Sequence, residues 1–154
     1  MAASRNGLSQ DILDDLFTRL RAKSEAIQHP PSYAIALTYI AMSQAFAGDD
    51  DGAWATAAAM ENDALRHKAY GETAEIQAEL GKYDAAIKSI RLIDTESFRN
   101  KAYSVVSKIL ADKGNLQDAL NAAANITNAY KKARAVQHVL DVQDKIKAEG
   151  EAAR

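Results

Sequence analysis

Cysteine is absent from this sequence, proline occurs only twice, and aromatic residues make up 6% of the 154 residues. Without cysteine, the chain can form neither disulfide bonds nor thiolate metal sites. Few prolines and many alanines favour helices, because alanine loses no side-chain entropy in a helix and lets helices approach closely. With 19 Lys and Arg against 21 Asp and Glu, composition gives no reason to expect attraction to nucleic acid or to a membrane surface.

Long apolar runs are also missing. No segment approaches the roughly 18 apolar residues that a bilayer-spanning helix needs. The first five residues, Met-Ala-Ala-Ser-Arg, do not form the apolar core of a signal peptide. We therefore expect a cytoplasmic protein, with the periplasm as the alternative if a leader peptide is removed.

Catalytic motifs are absent as well. The sequence has no Gly-x-Ser-x-Gly elbow, no phosphate-binding glycine loop and no His-Glu-x-x-His motif. Its three histidines, His29, His67 and His138, have no convincing metal spacing. A face that reads nucleic acid would need net basic charge and stacking groups, which this chain lacks. We expect no catalytic residue, no cofactor, no metal and no nucleic-acid partner.

The most regular feature that is present is a set of columns recurring every 33 residues. One column is Gly48, Gly81 and Gly114. Alanine columns lie three residues before it and five residues after it, and a larger apolar column lies twelve residues after it. Their members are Ala45, Ala78 and Ala111; Ala53, Ala86 and Ala119; and Met60, Ile93 and Ile126. Columns in such register predict a helical repeat protein.

Each unit is predicted to hold a long helix followed by a shorter one. Asn62, Thr95 and Asn128 are good N-capping residues one period apart, and Pro30 suits a first helical position. Long helices should therefore begin near residues 30, 63, 96 and 129, and the glycines should end the first three as left-handed caps. With a first helix at residues 9–28, about eight helices result.

These boundaries predict an all-α fold of about three and a half helix-turn-helix repeats. We expect flexible residues at 1–8, one helical-repeat domain at 9–149 and a flexible tail at 150–154. The domain should consist of a capping helix at 9–28, repeats at 30–61, 63–94 and 96–127, and a C-terminal helix at 129–149.

The turn at residues 81–87, Gly-Lys-Tyr-Asp-Ala-Ala-Ile, resembles the turn between the two helices of a tetratricopeptide repeat, and residues 114–120 are similar. The small and the large residue that the family places in its first helix find equivalents in two columns. These are Ala41, Ala74 and Ser107, and Leu37, Tyr70 and Tyr103. The resemblance implies a divergent member, because the period is shorter than the family's 34 residues. It also implies an α-α superhelix, a TPR-like solenoid, whose first helices line a shallow concave groove.

A basic ladder is the leading candidate for a binding site. Lys68, Lys101 and Arg134 recur one period apart near the start of the long helices. On the family's geometry they lie on the groove wall, where related proteins hold the carboxylates of peptide partners. Tyr39, Tyr70 and Tyr103 would add contact area, although the last two also fit the family's buried position. The alternative is that the ladder cations are solvated or form ion pairs between repeats.

Acidic residues follow further along the same helix phase, and they would make the groove basic at one edge and acidic at the other. They are Glu75, Glu79, Asp112 and Asp141. A second basic column, Arg66, Arg99 and Lys132, is expected to form salt bridges with Asp94 and Glu61 across the interhelix turns.

An apolar stripe occupies the groove phase of the first repeat only. It consists of Tyr39, Met42 and Phe46. We expect the N-terminal helix to pack over this stripe through Leu13, Leu16 and Phe17. The alternative is an exposed patch that binds a partner.

Taken together, these features favour a non-catalytic adaptor or scaffold that binds a peptide or protein partner carrying acidic groups. The first alternative is a structural module that stacks end to end into homo-oligomers. The second is an accessory domain of a larger exported, secretion-related protein.

Overall fold

The computed structural model describes residues 9–154, and the flexible segment expected at 1–8 lies outside them. The described residues form eight helices and no strand, which confirms the all-α prediction. Helix α1 spans Gln10–Glu25 and the last helix, α8, spans Ala129–Ala152. Between them, long and short helices alternate. They are α2 (Pro30–Phe46), α3 (Asp50–Ala58), α4 (Asp63–Glu79), α5 (Tyr83–Arg91), α6 (Glu96–Asp112) and α7 (Leu116–Ala124).

The long helices begin at the predicted residues. The side chain of Asn62 accepts a hydrogen bond from the Leu65 amide at 3.0 Å, and that of Asn128 accepts one from Lys131 at 2.9 Å. Thr95 holds the equivalent place before α6 but makes no such bond. Two of the three predicted caps therefore satisfy a free amide of the first helical turn.

The recurring glycines end the first three long helices as predicted. Gly48, Gly81 and Gly114 have φ values of 86°, 75° and 83°, in the left-handed region that other residues rarely adopt. At each glycine the chain forms a Schellman motif. In the second repeat, for example, Gly81 N donates to Ala78 O at 3.0 Å and Lys82 N donates to Gln77 O at 2.8 Å.

Helix packing follows the order expected of a helical repeat. Each of α2, α4 and α6 packs on the short helix that follows it and on the next long helix. The alanine columns lie at these crossings, and all six alanines on either side of the glycines are 0% exposed. Tyr70 and Tyr103 are each 5% exposed, so they belong to the core and not to a contact surface.

Both end helices differ in length from the prediction. Helix α1 stops at Glu25, three residues before the expected end at 28. Helix α8 continues to Ala152, three residues beyond the predicted end at 149 and into the segment predicted as a flexible tail. This exposed end is rich in lysine, glutamate and alanine, which have high helix propensity.

The lengths and hydropathy of the helices also bear on membranes. Over residues 9–154, no helix combines the length and the apolar character needed to cross a bilayer.

Candidate functional site

The basic ladder lies on the exposed side of three successive long helices. Lys68 is on α4, Lys101 on α6 and Arg134 on α8, and all three side chains are exposed. Within residues 9–154 none of them forms an ion pair, so pairing between repeats does not explain the ladder. Arg134 lies above the ring of Tyr130, 5.7 Å from its centroid, which is a weak cation–π contact at an exposed position.

The ladder lines two neighbouring clefts. The α4/α6 cleft has a volume of about 420 Å³ and is flanked by Lys68 and Lys101. The α6/α8 cleft has a volume of about 400 Å³ and is flanked by Lys101 and Arg134. Lys101 thus belongs to both. Most residues that line one cleft lie one period from those that line the other, so the two clefts share a framework.

Their charges differ sharply. Beside its two ladder cations, the α4/α6 cleft carries the carboxylates of Glu72 and Glu75. One period later these positions hold Val105 and Lys108. The α6/α8 cleft also includes Lys131, where the α4/α6 cleft has Phe98, and no Asp or Glu lines it. One cleft is therefore mixed in charge and the other is basic.

Glu75 was predicted to lie in the groove, and the structure places it in the α4/α6 cleft, half-buried. Burial raises the pKa of this carboxyl, and repulsion from Glu72 raises it further, while Lys101 opposes the shift. The carboxylate thus stands in a site that already disfavours negative charge.

The other predicted acidic residues have partners in the fold. Glu79 approaches Lys113 with an oxygen–nitrogen distance of 3.6 Å. Asp112 lies 2.8 Å from Nε2 of His138, and Asp141 accepts a hydrogen bond from Gln137 at 2.9 Å. The acidic edge expected from the sequence is therefore partly taken up by contacts within the chain.

The apolar stripe on α2 is not covered by α1, and the expectation that it would be is wrong. Leu13 and Phe17 of α1 pack instead on Ile40, which lies about 100° around α2 from Tyr39. Tyr39 stays 65% exposed and Phe46 53% exposed. Met42 is half-buried, but against the cluster of Ala45, Ala53 and Ile76.

The positions of α2 that lie one period before Glu72 and Glu75 hold Tyr39 and Met42. Ile35, which is 51% exposed, takes the position of Lys68. The face formed by α2, α4, α6 and α8 therefore changes from apolar at α2, through mixed at α4, to basic at α6 and α8. We call it the long-helix face.

In the second basic column, Arg66 and Arg99 make contacts within the fold. Of the two predicted acidic partners, Asp94 forms an ion pair with this column, through Arg66. Arg66 donates to the carbonyl of Met60 at 3.0 Å, and Arg99 donates to the carbonyl of Ile93 at 2.6 Å. These carbonyls lie in the turn before each long helix. Arg66 also pairs with Asp63 at 2.7 Å and with Asp94 at 3.6 Å, but Asp94 belongs to the turn after its own helix pair. The repeated contact is thus to a backbone carbonyl.

A buried chain of side-chain hydrogen bonds was not predicted from the sequence. Trp54 donates from Nε1 to Ser89 Oγ at 2.7 Å, and Ser89 donates to Gln77 Oε1 at 2.5 Å. Gln77 donates in turn to Asp50 at 2.9 Å. This chain joins the first repeat to the second. Gln44 and Thr56 form the equivalent side-chain bond in the first repeat, so these polar residues recur at the period and were open to detection.

A second polar contact also joins a long helix to the turn that follows its short helix. His67, which is 4% exposed, donates from Nε2 to Asp94 Oδ1, and this hydrogen bond lowers the pKa of Asp94. One period later the pair is Asn100 and Thr127, joined at 2.9 Å. These contacts join each long helix to the turn after its short helix, and the His67 side chain also lines the α4/α6 cleft.

Among residues 9–154, no group of three or more His, Asp or Glu side chains is arranged to hold a metal ion. The ladder and its two clefts make the long-helix face the candidate site. Comparison of the chain with models of known protein families, with curated proteins and with solved structures gave no match.

Proposed function

We propose that this protein is a non-catalytic adaptor that binds an extended peptide segment of a protein partner across the long-helix face. The observation that carries the proposal is the ladder itself. Lys68, Lys101 and Arg134 recur with the scaffold, line two clefts and form no ion pair within residues 9–154. All three side chains are exposed, so they are open to an acidic ligand.

The change in polarity along the face suggests the order of groups in the partner. Apolar side chains would contact Ile35 and Tyr39 on α2, and acidic groups would reach the cations of α6 and α8. Neighbouring packed helices lie about 8–10 Å apart, so the distance from α2 to α8 is roughly 24–30 Å. An extended chain covers this distance with about seven to nine residues.

The proposal can be tested with a nine-residue peptide that carries aromatic residues at one end and aspartates at the other. We expect the Lys68→Ala, Lys101→Ala, Arg134→Ala variant to bind it at least about tenfold more weakly, since each lost contact involves charged groups. Fluorescence anisotropy of a labelled peptide measures the affinity. The difference should shrink as salt is added.

The matched control removes three exposed cations that line neither cleft, by Lys23→Ala, Arg91→Ala and Lys147→Ala. It changes net charge equally, so it corrects for general electrostatic attraction. We expect its affinity to stay within about threefold of wild type. Equal binding by wild type and the ladder variant at low salt would rule the proposal out.

Self-association is the second candidate, and one observation on α8 favours it. Leu140 occupies the position of the buried residues Ala74 and Ser107, yet it is 44% exposed. On α4 and α6, the short helix of the same repeat covers this side. A second copy of the chain could cover it on α8. Light scattering should then show mass rising with concentration and Leu140→Glu should abolish the rise; a constant monomer mass excludes this alternative.

A further inference from the structure

Four cations converge on the α6/α8 cleft. Lys101, Lys108, Lys131 and Arg134 line one cavity of about 400 Å³, together with no Asp or Glu side chain. Among the described residues none of these four forms an ion pair. Like charges that face one cavity repel one another, and a bound anion would relieve that repulsion.

The carboxylate that contacts a lining residue of this cleft is Asp112, and it is already engaged. Asp112 reaches the lining only through His138, whose Nε2 lies 2.8 Å from its Oδ1. Glu75 acts on Lys101 from the other cleft, since Lys101 influences the pKa of Glu75. Neither group places a carboxylate in the lining of the α6/α8 cleft. The site is therefore open to a ligand of opposite charge.

The number of cations favours a ligand with more than one negative charge. Coulombic attraction grows with the product of the charges, so four cations gain about twice as much from a dianion as from a single carboxylate. A phosphate monoester carries about −1.5 to −2 charges near neutral pH and offers three acceptor oxygens. The planar guanidinium of Arg134 suits bidentate contact with two of them.

The neighbouring cleft argues for a compact anion over a long polyanion. Glu72 and Glu75 line the α4/α6 cleft directly beside the basic one. A nucleic-acid strand crossing the face would place phosphates against these carboxylates. No Phe, Tyr or Trp lines the α6/α8 cleft to stack on a base, and the His138 ring there is already engaged by Asp112. A single phosphoryl group on a peptide avoids both problems.

We propose that the α6/α8 cleft binds the phosphoryl group of a phosphorylated side chain through Lys101, Lys108, Lys131 and Arg134. This deepens the proposed function, because it names the group that the peptide presents at the basic end of the long-helix face. It rests on that function for the identity of the carrier but not for the anion site, which free phosphate can occupy as well.

The first experiment uses inorganic phosphate as the probe and the amide spectrum of the ¹⁵N-labelled protein as the readout, at constant ionic strength set with chloride. Saturable shifts should be confined to residues 101–108 and 131–138. Lys108→Glu introduces the negative charge that Glu75 has at the equivalent position of the other cleft. It should weaken phosphate binding at least about tenfold. Shifts that are absent, that do not saturate, or that survive in Lys108→Glu would overturn the proposal.

The reciprocal variant gives the α4/α6 cleft the charges of its neighbour. Glu72→Val, Glu75→Lys and Phe98→Lys together give this cleft four cations and no carboxylate, and should create a second site, seen as new saturable shifts at residues 68–75 and 98–101. All three altered positions are at least partly exposed, and far-UV circular dichroism checks that the helices persist. If the variant folds but gains no phosphate binding, the four-cation explanation is wrong.

A third arm separates the source of the phosphoryl group and the class of partner. The nine-residue peptide is prepared with phosphoserine, with aspartate or with serine at its acidic end. Phosphoserine should bind at least about tenfold better than aspartate, and Lys108→Glu should abolish this preference. Equal affinities would overturn the phosphoryl assignment while leaving the adaptor function intact. Tighter binding of single-stranded RNA than of the phosphopeptide would also overturn the phosphoryl assignment. Localised binding of free phosphate without any peptide binding would support the anion site and count against the adaptor function.

Discussion

The repeats at residues 63–94 and 96–127 share one framework but place their polar residues differently. The second repeat is polar inside, where Gln77 and Ser89 are each 0% exposed, and mixed in charge on the long-helix face. The third is apolar at the equivalent positions, Leu110 and Ala122, and basic on that face. The residues at the helix ends and at the alanine crossings are the same or similar in each repeat, while the residues of the remaining columns differ between repeats. Those columns give the two clefts their different charges.

The largest effect should come from moving the polar interior into the repeat that lacks it. Leu110 is 0% exposed, so Leu110→Gln loses an apolar contact and buries an amide without a partner. We expect it to lower the free energy of unfolding by about 3–5 kcal/mol. Urea denaturation followed by circular dichroism measures the change.

Adding Ala122→Ser to that variant supplies the hydroxyl that Ser89 contributes in the second repeat. The double variant should recover about 1–2 kcal/mol of the loss. A double-mutant cycle without such coupling would show that the two repeats are not interchangeable inside.

A smaller effect is expected at a column that is apolar in three copies and polar in one. Thr73 stands where Ile40, Val106 and Val139 stand in the other long helices, and it is 0% exposed. Its hydroxyl has no hydrogen-bond partner among the described residues. Thr73→Val should therefore stabilise the protein by about 1 kcal/mol, and Val106→Thr should destabilise it by about 1–3 kcal/mol. Thermal unfolding that moves both variants in the same direction would contradict this account.

The same contrast between recurring and differing positions shows how much of the structure the sequence could predict. Backbone features depend on local chemistry, so Gly81 and Asn62 sufficed to predict where helices end and begin. The ladder was predicted from its period, and its two clefts then followed from helix packing. The covering of Tyr39 was predicted wrongly, because which face of α2 meets α1 depends on Ile40, one residue and about 100° away. Tertiary packing, and not local pattern, decides such a choice.

The buried pairs escaped for a different reason. Gln77 and Ser89 recur as Gln44 and Thr56, but only in two repeats. A column that changes from polar to apolar does not stand out in a search for constant residues. Likewise, the contrast between Glu75 and Lys108 gains meaning only when both are seen to line clefts of the same shape.

A pH-dependent difference should separate the pair His67 and Asp94 from its counterpart, Asn100 and Thr127. The hydrogen bond from His67 lowers the pKa of Asp94 in the folded protein. The stabilisation that this hydrogen bond provides is therefore present above the unfolded pKa of Asp94, about 3.9. It is lost as the pH falls through the lower folded pKa. The variant His67→Asn, Asp94→Thr should lose less stability than wild type between about pH 5 and pH 3. Urea midpoints measured across that range test it, and parallel curves would contradict it.

The smallest effect concerns the half-buried carboxylate that distinguishes the two clefts. Burial and Glu72 raise the pKa of Glu75, so the folded state holds this proton more tightly than the unfolded chain does. The contribution of Glu75 to the free energy of unfolding should therefore decline as the pH rises from the unfolded pKa of about 4.3 through the raised folded pKa. Glu75→Gln removes the charge, and we expect it to stabilise the protein slightly at neutral pH. The gain should vanish below about pH 4, where the wild-type carboxyl is protonated in both states. Glu149→Gln, on the exposed end of α8, is the control and should show no such gain; a pH-independent gain in Glu75→Gln would mean that packing, and not the charge, makes the difference.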